Sequence, residues 1–195
     1  MNIRHTIIAA LAGSTCLFAA GAEAHTIGAA GAGLTDGLVH PFIGVDHLLA
    51  MLAVGVWAAQ LGGRALWLLP LAFVTVMAGG AGLAQRLGLG LSLVEVMIAA
   101  SVLALGYLVA GSVRVSAGVG VLTASLFALF HGYAHGLEIP EAGTPLAYAA
   151  GFVLATGCLH LIGIGLGMSL RQSRLLTRVG GAALTATGVY LLASL

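Results

Sequence analysis

The chain is nearly devoid of charge. Its 195 residues include no lysine, seven arginines and six acidic residues, so only 7% of positions are charged. Hydrophobic residues make up 60% of the chain, and the mean hydropathy is +1.11. This balance excludes an ordinary soluble domain and indicates an all-α integral membrane protein in contact with the lipid bilayer. The net charge of +1, without a basic aromatic surface, gives no basis for nucleic acid binding.

The chain also has little cysteine and no nucleotide-binding motif. One of the two cysteines, Cys16, falls in a predicted leader, so the mature chain would retain only Cys158 and could form no intramolecular disulfide. The phosphate-binding pattern GxxxxGK[ST] does not occur, so no ATPase subunit is evident. Any transport by this chain is therefore expected to be passive or secondary.

The first 24 residues are typical of a cleavable secretory signal. Arg4 supplies a basic start, residues 6–20 form a short apolar run, and Ala22 to Ala24 provide a small-residue cleavage site. Cleavage would leave His25 at the outer amino terminus. The alternative is an uncleaved first helix, but the apolar run is short for a membrane span.

Six further apolar runs predict a six-helix transmembrane bundle over residues 25–195. Each run is close to the roughly 20 residues that cross a bilayer, and the 30 glycines suit helices that pack closely. The predicted spans are 42–61, 66–86, 91–112, 115–134, 145–170 and 175–194. Residues 25–40 are glycine-rich and too short for a seventh span, so we expect a short outer or re-entrant helix there.

The arginines predict the orientation. With both termini outside, the inner loops contain five arginines, and the outer segments contain only Arg86. This distribution follows the positive-inside rule. The five inner arginines are Arg64, Arg114, Arg171, Arg174 and Arg178.

A first cluster of ionisable residues lies at the start of the first predicted span, in the segment His40-Pro41-Phe42-Ile43-Gly44-Val45-Asp46-His47. Residues seven apart lie on nearly the same face of a helix, so His40 and His47 are expected to share a face, with Asp46 beside them. Pro41 suits the start of a helix, where its missing N–H is not needed.

A second cluster ends the fourth predicted span, in the segment Phe130-His131-Gly132-Tyr133-Ala134-His135-Gly136-Leu137-Glu138. His131, His135 and Glu138 follow i, i+4, i+7 spacing and should share one helix face. Gly132 and Gly136 predict close approach of another helix, and the first span is the expected partner. The orientation places both clusters on the outer side, as an external ion-capture site requires.

Imidazole and carboxylate in such numbers inside a membrane protein indicate a metal ion or proton path. This donor set suits Ni, Co, Zn, Cu(II) or Fe(II), and the lack of clustered thiolates argues against Cu(I). His160 in the fifth span is a further candidate near the midplane, and His25 and Glu95 are weaker candidates on the outer side. Met51 and Met77 are expected to be packing residues.

The two motifs resemble those of the HupE/UreJ family of nickel and cobalt permeases. The family pattern H-P-x-x-G-x-D-H matches His40 to His47, and F-H-G-x-A-H-G-x-E matches Phe130 to Glu138, both without departure. The resemblance implies uptake of Ni²⁺, or in some members Co²⁺, through the inner membrane of a Gram-negative bacterium for hydrogenase or urease maturation. It also implies that the ionisable residues of the first motif are the most important for this uptake, with those of the second motif in support.

Two other functional classes fit the same residues. An intramembrane zinc hydrolase could bind its metal through histidine and aspartate and use a remaining carboxylate as base. A metal sensor or accessory subunit would bind the ion without moving it. The permease interpretation predicts a divalent ion as cargo, with no permanently bound cofactor, and the sequence sets neither the choice of metal nor an oligomeric state.

Overall fold

The computed structural model describes residues 33–87, 91–138 and 144–195, and every regular element in these ranges is an α-helix. The helices are α1 (Leu34–Ile43), α2 (Val45–Leu61), α3 (Ala65–Leu87), α4 (Leu91–Gly111), α5 (Ala117–Glu138), α6 (Pro145–Leu170) and α7 (Arg174–Ala193). The predicted signal peptide, residues 1–24, and the candidate ligand His25 lie outside the described residues.

Helices α3 to α7 are each long and apolar enough to cross a membrane. Their bounds agree closely with the predicted runs, and the largest difference is at the end of α5, which continues past residue 134 to Glu138. The whole second motif therefore lies on one helix.

The first predicted span, 42–61, is wrong at its start. The chain bends by 86° between α1 and α2, so Pro41 lies inside α1 near its end instead of opening the span. His40 and His47 consequently lie on different helices, and the expected shared helix face does not exist. Helix α2 has 17 residues and is about 25 Å long, shorter than the hydrocarbon core of about 30 Å. The pair α1 and α2 counts as a sixth span only if the two are taken together.

Gly44 forms the break between these helices. A Cβ atom at this position would lie 3.0 Å from Oδ1 of Asp46 and 3.3 Å from Nδ1 of His47. These contacts are too short for an alanine without displacement of the neighbouring side chains. The absence of a side chain at Gly44 thus leaves room for the acidic and imidazole groups of the first turn of α2.

Close glycine contacts join the helices in pairs. Helix α3 packs on α5, α4 on α7, and both α1 and α2 on α6. The sequence predicted that Gly132 and Gly136 would allow the first span to approach α5. Both glycines face α3 instead: Gly132 lies against the backbone of Met77, and Gly136 against Ala81. The expected partner was therefore wrong, because the two glycines occupy a different face of α5 from the histidines.

The interior is mainly apolar, with a few buried histidines and hydroxyl residues, and the acidic and arginine residues lie towards its two ends. Met51, Trp57 and Met77 are fully buried, which confirms the packing role expected of the two methionines. The far end of α2 borders a cavity lined by Gln60, Leu61 and four arginines: Arg114, Arg171, Arg174 and Arg178. Asp46 and His47 lie in the first turn of the same helix, at the opposite end.

The glycine contact between α3 and α5 can be tested with two adjacent residues. A Cβ at Gly80 would overlap the carbonyl of Leu129, whereas a Cβ at Gly79 meets nothing within 4 Å. We expect Gly80→Ala to destabilise the fold by about 1–3 kcal/mol through overpacking. Gly79→Ala should be neutral or stabilising by up to about 1 kcal/mol. Thermal unfolding in detergent measures both, and equal melting temperatures for the two variants would contradict the contact.

Candidate metal site

Three helices bring their ionisable side chains together at one end of the bundle. Helix α1 contributes one histidine, the first turn of α2 contributes a carboxylate and a histidine, and the last two turns of α5 contribute two histidines and a carboxylate. These are His40, Asp46, His47, His131, His135 and Glu138. The six residues of the two sequence motifs therefore form one continuous cluster, as their predicted common side suggested.

The outer part of the cluster is a group of three ligands. Oε2 of Glu138 lies 2.9 Å from Nε2 of His40 and 3.2 Å from Nδ1 of His135. One ligand atom from each of the three residues can be chosen so that all lie within 4.8 Å of one another. Two imidazoles and a carboxylate at this spacing could converge on a first-row divalent ion after small side-chain movements.

The inner part is organised by Asp46. Its Oδ1 accepts hydrogen bonds from the backbone N–H of His47 at 2.7 Å and from Nδ1 of the same residue at 2.8 Å. This interaction places the proton on Nδ1 and leaves Nε2 of His47 as the atom with a free lone pair. The ring centroid of His47 lies 4.6 Å from that of His131 and 4.3 Å from that of His135.

Exposure decreases from the two carboxylates to the innermost imidazoles. The exposed fraction of the side chain is 38% for Glu138, 33% for Asp46, 29% for His40, 12% for His47 and 3% for His135. His131 is completely buried. The cluster therefore has an accessible mouth at Glu138, Asp46 and His40 and a closed inner end at His131.

Several imidazole nitrogens in this cluster are buried without a hydrogen-bond partner among the described residues. They are Nε2 of His47, Nδ1 of His131 and Nε2 of His135. Buried polar atoms in folded proteins are nearly always paired, and an unpaired one costs about 1–3 kcal/mol. Three such atoms on neighbouring rings favour a ligand-binding role over a purely structural one.

His160 lies deeper in the bundle, on α6. It is completely buried, and both of its ring nitrogens lack a partner among the described residues. The ring of Phe73 contacts it at a centroid distance of 5.1 Å and contacts His131 at 5.7 Å. Phe73 thus connects the inner end of the cluster with His160.

Glu95, the weaker outer candidate, does not join this cluster. Glu95 is exposed on α4, and no ion pair or hydrogen bond in the described part of the chain links it to the histidines. A carboxylate near a helix start is readily solvated, and the sequence alone does not distinguish a solvated carboxylate from a ligand.

Besides Phe73, three further residues outside the sequence motifs contact the histidines. Phe152 lies 3.9 Å from the ring of His135, and Tyr148 lies 5.8 Å from the ring of His40, measured between centroids. Ser101 contacts His131. Aromatic and hydroxyl residues are common in apolar helices, so no pattern in the sequence marks these three.

Comparison with known proteins decides the family. The family described as HupE / UreJ protein matches residues 13–191, which include both histidine motifs. The chain belongs to the HupE/UreJ family. It is 47% identical to Protein HupE of Rhizobium leguminosarum bv. viciae over 174 residues, covering 88% of this chain and 90% of that relative. No solved structure matches the chain. The resemblance of the two motifs to those of the HupE/UreJ family is therefore confirmed.

The role of Asp46 can be tested by removing its charge while keeping its shape. Asp46→Asn should weaken Ni²⁺ binding about 10- to 100-fold, because the partner that orients His47 loses its charge. Asp36→Asn is the matched control, since Asp36 is exposed on α1 and contacts the backbone N–H of Gly33. Titration calorimetry on detergent-purified protein measures both, and equal affinities for the two variants would exclude Asp46 from the site.

Proposed function

We propose that this protein moves divalent nickel, with cobalt as the second candidate, from the periplasm into the cytoplasm of a bacterium. The observation that carries the proposal is the row of histidines that begins at a partly exposed mouth and continues into the apolar interior. A protein that only bound metal would not need His160, an unpaired imidazole that lies deeper than the cluster. Membership of the HupE/UreJ family supports the same function.

The ion enters by exchange between neighbouring ligands. Glu138 and His40 capture the partly dehydrated ion at the mouth and share it with His135, whose second nitrogen is unpaired. His47 binds it next, because its ring adjoins that of His135. His131 follows, because its ring adjoins that of His47. His160 lies beyond Phe73 and is the next station towards the inner side.

The distribution of charge supports the inward direction. The four arginines that line a cavity at the end of α2 lie opposite the histidine cluster. Arginines concentrate on the cytoplasmic side of bacterial membrane proteins, so the mouth of the cluster faces the periplasm and the carboxyl terminus lies outside. This arrangement suits a multi-pass protein of the inner membrane, with residues 1–24 as its signal peptide.

No nucleotide-binding motif accompanies the helices, so the driving force is the ion gradient or a coupled ion. Nickel imported in this way would supply the maturation of metalloenzymes such as hydrogenase or urease. The cargo passes through the protein, and no cofactor is permanently bound.

Flux measurements test transport directly. Purified protein in proteoliposomes should take up radiolabelled Ni²⁺, and Asp46→Ala or His47→Ala should lower the initial rate by at least about tenfold. Asp36→Ala is the control for a lost carboxylate outside the cluster. Wild-type protein that binds Ni²⁺ without flux would overturn the proposal and favour the zinc hydrolase or the metal sensor.

Uptake should also depend on pH in a defined direction. A protonated imidazole has no lone pair for a metal ion, so capture weakens as the pH falls through the histidine range. With equal pH on both sides of the vesicle, we expect fast uptake at about pH 7.5 and little at about pH 5. Retention of an entrapped dye controls for leakage. A rate that stays constant over this interval would contradict capture by neutral imidazoles.

A further inference from the structure

Ser101 connects α4 with the innermost histidine of the cluster. The residue is completely buried, and its Oγ lies 2.6 Å from the carbonyl oxygen of Ile98 and 2.9 Å from Nε2 of His131. Both distances are within the range of good hydrogen bonds. The serine belongs to neither histidine motif.

The number of available protons determines how these two hydrogen bonds are arranged. A serine hydroxyl has one hydrogen, and a carbonyl oxygen can only accept. The short contact with Ile98 therefore uses the hydroxyl hydrogen of Ser101. The contact with His131 then requires Nε2 to donate to the lone pair of Oγ. A neutral imidazole has only one N–H, so Nδ1 of His131 must be unprotonated.

The free Nδ1 of His131 is positioned for a metal ion. It is buried and has no partner among the described residues. The neighbouring ring of His47 is in the opposite tautomer, because Asp46 accepts from its Nδ1 and leaves its Nε2 free. Two lone pairs are thus available on rings whose centroids lie 4.6 Å apart.

We propose that Ser101 is a positioning residue that holds His131 in the Nε2–H tautomer, so that this histidine binds the divalent cargo through Nδ1. The inference rests on the proposed function for the identity of the cargo. It assigns a polar side chain of α4 to the metal path, although α4 carries no ligand of its own in the cluster. Such outer partners set the orientation and the tautomer of metal-binding histidines in many proteins.

The tautomer can be measured without any transport. Protein labelled with ¹⁵N in the histidine rings, purified through a histidine-free tag and kept metal-free at about pH 8.5, has neutral imidazoles. The ¹⁵N spectrum of the wild type should show His131 protonated on Nε2, with the resonance assigned by its loss in His131→Gln. A wild-type His131 protonated on Nδ1 would overturn the inference, whatever the variants do.

Substitutions then test the consequence for metal binding. Ser101→Ala should weaken Ni²⁺ binding about 10- to 100-fold and allow both tautomers of His131 to appear. Ser101→Thr keeps the hydroxyl and should restore the Nε2–H signal and most of the affinity. Ser169→Ala is the control, because its hydroxyl also donates to a carbonyl of its own helix, that of Gly165 at 2.9 Å, but contacts no histidine among the described residues.

The outcomes separate this inference from the proposed function. An unchanged affinity and an unchanged tautomer in folded Ser101→Ala would exclude the positioning role while leaving transport intact. Conversely, wild-type protein without Ni²⁺ flux but with Nε2–H His131 and weaker binding in Ser101→Ala would remove only the transport proposal. Melting temperatures in detergent establish that each variant is folded.

Discussion

The break at Gly44 is the constraint on which the cluster of histidines and carboxylates depends. It turns α1 by 86° from α2, so that His40 approaches the cluster from a different direction than Asp46 and His47. A continuous helix through this segment would place His40 two turns away from His47, along the axis of α2. The bend instead brings His40 within 2.9 Å of Glu138 on α5.

The direction of α1 is itself determined by glycine. Gly37 of α1 and Gly151 of α6 each lie against the backbone of the other helix, so that a side chain at either position would overlap it. Interiors without a hydrophobic driving force between helices rely on this kind of close packing. The glycines of α5 act in the same way on α3, which leaves the histidine face of α5 free for α1 and α2.

The neighbours of the polar groups change with depth in the bundle. The partly exposed carboxylates of Asp46 and Glu138 orient the nearest imidazoles. Deeper in the bundle, His131 contacts Ser101, Phe73 and the ring of His47, and His160 contacts Phe73. Under the proposed function, an ion that moved inward would pass from charged to neutral ligands and would have less charge compensation at each step. In that case the mouth would bind the ion, and no buried Asp, Glu or Arg among the described residues would retain it in the interior.

Several properties follow from the sequence by itself. The long apolar runs predict α3 to α7 with every bound within four residues, because a membrane allows little besides helices of sufficient length. The spacing of His131, His135 and Glu138 places them on one helix face, and the two motifs identify the family. These conclusions rest on local periodicity and residue type, which the sequence contains directly.

Only the tertiary structure decided which helices pack together and how the candidate ligands separate into an outer and an inner group. The first motif reads as one helix face, yet it spans a sharp bend at Gly44, and α1 on the other side of the bend packs against α6 through Gly37. The partner of the α5 glycines, the separation of the cluster into outer and inner parts, and the contact of Ser101 with His131 depend on side chains distant in sequence. No local pattern encodes such contacts, because they arise only when several helices pack together.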